Sequence, residues 1–377
     1  MRAISKTSAR TSRILAREEA DAFGRELDGL REEVTASLGQ RDVDHIRRVI
    51  RAVRYAEASG RLLLHAGWEP LSFAVGTGAL AVSKILENME VGHNVMHGQY
   101  DWTGDPQLDS RSYEWDIVCT GNDWRHYHNY EHHTFTNIVG KDRDVGYGLL
   151  RVAAEQPWNP VYLPQPLSAL VLALVFQWGV GAHNLHIPDV VTGKQPLSAL
   201  RARAGPFLAK AAWQIAKDYA LFPALAAWNG PRVLLGNLFA NTTRNVWAFA
   251  IIFCGHFPAA TRFYREEETR DESRGQWYVR QVNGSANIRG GRLFHVLSGH
   301  LGFQIEHHLF PDLPAVRYPE LAPRVRGICE RYGQAYNTGS FTRQLGGVIG
   351  RILRHALPSG ASPQVEAGRS TEAGTGT

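Results

Sequence analysis

Cysteine is scarce in this chain. Its 377 residues include three, Cys119, Cys254 and Cys329, and no pair has C-x-x-C spacing. That excludes a disulfide framework, a zinc ribbon and a thiolate-held iron–sulfur cluster. No G-x-G-x-x-G turn is present, so the chain has no dinucleotide-binding fingerprint of its own. The His-Pro-Gly-Gly haem motif is also missing. From Met1 to Glu33 there is no apolar core, so no secretory signal is evident and a cytoplasmic N-terminus is expected. Charge of one sign is not in large excess: Lys+Arg minus Asp+Glu is 41 − 36 = +5, with pI ≈ 9.1. With no nucleic-acid signature beside it, that excess excludes a nucleic-acid partner and suits the cytoplasmic face of a membrane. No internal repeat is found.

Long apolar runs are few as well, and mean hydropathy is −0.26. A chain of this kind needs a large polar domain on one side of any membrane it enters. Residues 1–40 read as a polar lead-in, partly helical. Residues 41–357 read as the main domain, and 358–377, rich in Gly, Ser, Thr and Ala, as a disordered tail. Arg47, Arg48, Arg51, Arg54 and Arg61 make 41–66 an interfacial helix rather than a free span. Pro70 opens a better apolar stretch, Leu71 to Ser83. The clearest candidate span is Pro157 to Ala182, since no Asp, Glu, Lys or Arg occurs from Gln156 to Pro188. From Tyr219 to Thr261 a second apolar region is interrupted by Arg232, Arg244 and Gly230-Pro231, which suggests a hairpin or one span plus a re-entrant piece. Two to four spans are compatible with this pattern.

Histidine is what the chain does have. Three clusters stand out: His93-Asn-Val-Met-His97, His128-Asn-Tyr-Glu-His132-His133 and Gln304-Ile-Glu-His307-His308. Residues four apart share a helix face. His93 is therefore expected over His97, His128 over His132, and Gln304 over His308. The doubled histidines add a second ligand turned about 100° around the helix. Seven imidazoles exceed the needs of one metal, so two metals follow. The first cluster lacks the general-base Glu of an H-E-x-x-H zinc hydrolase at position 94. The clusters contain only Glu131 and Glu306 as carboxylates, unlike soluble Glu-rich di-iron bundles. An all-histidine site joined to apolar segments points to oxygen chemistry on a lipid chain. The scattered His45, His65, His126, His183, His186, His295 and His355 read as ordinary surface or core residues.

The three clusters resemble the histidine boxes of membrane fatty acid desaturases. The similarity extends to HNVMHGQYDW from 93, HNYEHHTFTN at 128–137, DVGYGLLR at 144–151, FCGHFP at 253–258, DESRGQWYVRQ at 271–281 and QIEHHLFPDLP at 304–314. The bacterial acyl-CoA desaturases are the branch it is most similar to, over roughly residues 40–357. The resemblance implies an all-α architecture: integral membrane helices supporting a cytoplasmic helical cap that holds a di-iron site. It implies His93, His97, His128, His132, His133, His307 and His308 as box ligands, and His256 as an eighth. Gln304 is implied as a group that holds a water or orients a neighbour. Four positions depart from the family pattern. Gly302-Phe303 stands where Ser-His is expected, Ile252 where some relatives have Asn, and His300 where Asn is usual. His300 is read first as a surface histidine and second as an extra ligand or a group behind one.

The implied activity is O2-dependent desaturation of a long fatty acyl chain, as acyl-CoA or acyl-lipid, at two iron ions. The enzyme would be a multi-pass protein of the cell membrane with its active site on the cytoplasmic side. Electrons are expected from a separate NADPH-dependent reductase. Lys141–Arg143 and Arg274–Arg292 are candidate contacts for CoA phosphates, or else solvated loops. The rivals are a hydroxylase of the same superfamily and a non-catalytic metal-binding membrane protein.

Overall fold

The computed structural model describes residues 12–358. The tail read at 358–377 therefore lies, but for Pro358, outside the described residues. The architecture is almost entirely helical. Among the described residues the named strands are one short parallel pair, Asn287–Arg289 with Thr338–Ser340.

Two long helices and a shorter one form a bundle. Helix Gln40–Ala66 turns at Gly67 into helix Pro70–Leu86, whose first residue is a proline and whose N-cap is Glu69, accepting from Ser72 N–H at 2.8 Å. Gly60 and Gly76 let the two helices meet: a Cβ on Gly60 would lie 2.9 Å from the Gly76 carbonyl oxygen. The interfacial helix expected at 41–66 is thus packed along its length, burying Ile46, Val49, Val53 and Leu64, while Arg51 and Arg54 stay exposed. Helix Gly230–His256 lies against both. Its 27 residues span about 40 Å. Gly230-Pro231 starts this helix rather than breaking the region, because proline is favoured in the first turn.

The polarity of the bundle is turned inward. Arg244, Asn237, Asn241 and Asn245 are buried. Lys84 donates to Asp218 at 2.9 Å, and Asn241 donates to the same carboxylate at 2.9 Å. Leu234, Leu235, Leu238 and Phe239 on the same helix face outward. Trp68 and Trp228, at the two turns of the bundle, are 86% and 90% exposed.

The segment read as the clearest span is not one straight helix. It breaks at Val175 into Gln165–Leu174 and a second arm, bent by 103°. No single helix among the described residues is long and apolar enough to cross a membrane; this bent pair passes by length and composition only when taken together.

The cap packs on one end of the bundle. Helices Arg17–Ala36, Arg274–Gly284, Gln304–Leu309 and Tyr318–Arg331 enclose Phe23, Leu27, Tyr278, Ile305, Phe310 and Tyr318. The lead-in's helix Arg17–Ala36 is therefore part of the cap, with Gly24 seated on Gly275. Arg317 clamps Asp42 at the start of the first bundle helix, its Nη2 2.7 Å from Oδ2. Both are buried, so losing either partner would cost about 3–5 kcal/mol.

Candidate metal centre

Helix Pro70–Leu86 runs without a break into a π-helical segment, Glu87–Gly92, and a helical turn His93–Met96. The second cluster follows the same plan. Thr120 caps the turn Gly121–Trp124, a π-helical segment covers Arg125–His132, and a short turn follows at His133–Phe135. The expected α-helical frame at 128–132 is thus a wider one. A π turn still stacks residues four apart, and the His128 and His132 rings lie 5.0 Å apart at 23°. Such segments are frequent at functional sites because they re-aim side chains without ending the helix. The third cluster sits on Gln304–Leu309, and His256 is the last residue of the long bundle helix.

These four elements bring the histidines into two groups. One nitrogen from each of His93, His97, His128 and His307 lies within 4.8 Å of the others, and the same holds for His132, His256 and His308. His133 stands between the groups. Its ring is 4.8 Å from His97 and 4.9 Å from His307 on one side, and stacks on His308 at 4.5 Å on the other. The ring planes of His132 and His133 lie at 80° to each other, with centroids 5.4 Å apart.

Hydrogen bonding divides the two nitrogens of several of these rings. His132 Nδ1 donates to Asp142 at 3.0 Å, His308 Nδ1 to Gln281 Oε1 at 3.0 Å, and His93 Nδ1 to Asn94 Oδ1 at 3.1 Å. Asp144 and the Tyr318 hydroxyl stand at 3.4 Å from Nδ1 of His128 and His307. The Nε2 atoms of His97, His128, His132, His133, His307 and His308 are buried with no partner. An unpartnered buried nitrogen is costly, and a set of them aimed inward fits metal ligation. Gln304 stands beside His256, its amide nitrogen 3.1 Å from Nε2. With its oxygen turned to the ring it would accept the Nε2 proton, leaving His256 Nδ1, itself unpartnered, to face a metal.

Burial sets the protonation states. It pulls His97, His133, His307 and His308 well below the usual imidazole range, with neighbouring imidazoles adding to the effect, and takes His93 to about 3. Neutral imidazole is the ligating form. For His132, burial pulls down but the Asp142 carboxylate outweighs it, and the net shift is upward. Asp142 and Asp144 lie outside the site residues that the sequence marks. The available signal was an Asp-x-Asp pair in the polar stretch just after the second cluster.

His300 does not match its first expectation. It is 4% exposed, and it joins neither histidine group. Its Nδ1 is 2.9 Å from Glu90, whose other oxygen is 2.7 Å from His45. His45 is thus no ordinary core residue. His65, His126, His183, His186, His295 and His355 lie outside the two groups. The basic residues proposed for phosphate contact are largely engaged. Lys141 pairs with Glu266, Arg143 with Glu131 and Asp189, Arg274 with Asp28, and Arg280 with Glu272. Arg289 and Arg292 are exposed.

A partly enclosed cavity opens beside the histidines. His93, His128, His256 and Gln304 line one part of it. Tyr147, Phe176, Ala248 and Ile252 form apolar wall, and Arg244 and Asn245 lie further down the long helix.

The fatty acid desaturase family profile matches residues 66–340. The chain is 44% identical over 337 residues to an NADPH-dependent stearoyl-CoA 9-desaturase of Mycobacterium tuberculosis, covering 88% of this chain and 79% of the relative. It is 27% identical over 300 residues to the sn-1 linoleoyl-lipid 6-desaturase of Synechocystis, covering 73% and 80%. Human fatty acid desaturase 3 is 26% identical over 233 residues, covering 60% and 48%.

Proposed function

Because the chain belongs to the fatty acid desaturase family, and is an oxidoreductase that desaturates fatty acyl chains, we propose that it acts on a long-chain acyl-CoA at two iron ions, with O2 as co-substrate. The observation that carries the metal assignment is the split of four imidazoles, His128, His132, His307 and His308, with Nδ1 facing an oxygen and Nε2 left buried and unpartnered. One iron would be held by His93, His97, His128 and His307. The other would be held by His132, His256 and His308, with His133 available between them. When bound, the irons would supply O2 activation and the removal of hydrogen from two adjacent carbons.

The protein's own part is positioning and exclusion of water. The apolar wall from Tyr147 to Ile252 suits an acyl chain laid past His128 and His256. Asp142 and Asp144 fix the tautomers of His132 and His128, keeping Nε2 without a proton. Ala248→Phe fills part of the cavity below the histidines. It is expected to lower turnover of long acyl chains by roughly 10-fold or more relative to shorter ones, measured with a series of acyl-CoA lengths.

The bundle is placed in the cell membrane, with the cap on the cytoplasmic side; its inward polarity supports the membrane placement. Buried Lys84–Asp218 and Arg244, with outward Leu234, Leu235, Leu238 and Phe239, invert the pattern of a water-facing bundle. Exposed Trp68 and Trp228 suit the far interface. The absence of a dinucleotide fingerprint favours a separate NADPH-dependent reductase. Purified protein with NADPH, O2 and acyl-CoA is expected to give no product until a reductase is added. Turnover with NADPH alone would overturn that assignment.

A further inference from the structure

Away from the two histidine groups, three buried side chains converge from distant parts of the chain. His45 comes from the Gln40–Ala66 helix, Glu90 from the π segment before the first cluster, and His300 from the loop before the third. His45 Nε2 lies 2.7 Å from Glu90 Oε1, and His300 Nδ1 lies 2.9 Å from Glu90 Oε2. Glu90 is 1% exposed, so each of its oxygens needs a donor, and each has one ring nitrogen.

The stems of this cluster lead to the candidate metal ligands. Asn94 Nδ2 donates to the Glu90 carbonyl at 3.0 Å, and Asn94 Oδ1 accepts from His93 Nδ1 at 3.1 Å. The turn that holds Glu90 therefore also sets the His93 ring. On the other side, His300 adopts φ +55, a left-handed conformation that favours glycine. That residue turns the chain into Leu301–Phe303 and then into Gln304–Leu309, the helix that carries Gln304, His307 and His308. Phe303 N–H donates to the His300 carbonyl at 2.8 Å, which fixes this corner.

We propose that His45–Glu90–His300 is a positioning tie. It holds the first and third histidine clusters at the separation that closes the group made by His93, His97, His128 and His307. The proposal rests on the metal-centre reading above. The three residues act through Asn94 and the backbone corner at 300.

The bonded atoms define the test. His300 donates through Nδ1, the branch that Asn Nδ2 also occupies. His45 donates through Nε2, the position that Gln Nε2 reaches. The double variant His45→Gln/His300→Asn thus keeps both N–H donors while removing both imidazoles. His300→Leu keeps bulk and removes one donor. Full-length protein in detergent, stripped of metal, is titrated with Co(II). Visible absorption reports the sites, a competing chelator gives affinity, and the melting temperature of the metal-free form reports the fold. The unmodified chain is expected to take one Co(II) in each histidine group. His300→Leu should bind one of the two about 10–100-fold more weakly, with an altered spectrum. The double isostere should bind both with unchanged affinity. If His300→Leu does not fold, Glu90→Gln, which removes one acceptor, is expected to show the same selective weakening. Unchanged affinity and spectrum in a folded His300→Leu or Glu90→Gln protein would overturn the tie. So would loss of a third Co(II) in the double isostere, which would make the cluster a metal site itself. An unmodified chain that takes up no Co(II) would instead bring down the metal-centre reading, and the tie with it.

Discussion

Replacing His133 with alanine is expected to abolish desaturation and to weaken both metals at once. Both ring nitrogens of His133 are buried without a hydrogen-bond partner. Its ring touches His97 and His307 in one group and His308 in the other. Gln281, the neighbouring side chain, is spent on the His133 carbonyl and on His308 and does not take over the proposed ligand's place. Removing His133 also leaves a void among the rings of His97, His307 and His308. Product should fall by more than about 100-fold, since even residues behind a ligand are typically worth 10–100-fold. His132→Ala, by contrast, should weaken chiefly the metal of its own group. Acyl product and bound metal measured on the same preparations separate the two cases. Product at the unmodified level from His133→Ala would contradict the assignment.

Asp142→Asn is expected to lower activity by about 10–100-fold while leaving the fold in place. Asp142 accepts the His132 Nδ1 proton at 3.0 Å, the Asn137 N–H at 2.7 Å and the Asp144 N–H at 2.9 Å. It is 4% exposed, so water does not compete for it. A carboxylate can only accept, which forces the His132 proton onto Nδ1 and leaves Nε2 bare. A carboxamide can present its nitrogen instead. His132 would then carry its proton on Nε2, where a metal is expected. The variant also removes the negative charge that outweighs burial and raises the His132 pKa. Metal affinity should fall in the group of His132, His256 and His308, and not in the other. Equal weakening of both groups would show that Asp142 acts on the fold rather than on one ring.

Much of this centre was legible in the sequence, because ligand spacing is a local property. Histidines four apart point the same way whether the frame is α or π, so His93 with His97 and His128 with His132 survive the change of helix type. His256 stands alone in the sequence and was reached only through the FCGH resemblance. The groups that hold the rings come from elsewhere in the chain. Gln281 lies 27 residues from His308, and Glu90 lies 210 residues from His300. No spacing rule connects them, and His300 consequently read first as a surface residue. The bundle was harder still. Hydropathy treats Lys84, Asp218 and Arg244 as reasons against burial, whereas Lys84 and Asp218 pair inside the bundle and Arg244 lies buried between its helices. The bend at Val175 left no mark that periodicity could register.

Removal of hydrogen from an acyl chain at a histidine-held metal pair leaves a signature in the product's mass. The most direct test is mass spectrometry of the product from purified, iron-loaded protein given a long-chain acyl-CoA, O2, NADPH and an added reductase. The expected result is an acyl product that has lost two hydrogens, with one new double bond, and none from His132→Ala. A product that has gained an oxygen atom, or an unchanged substrate from protein with full iron and active reductase, would contradict it.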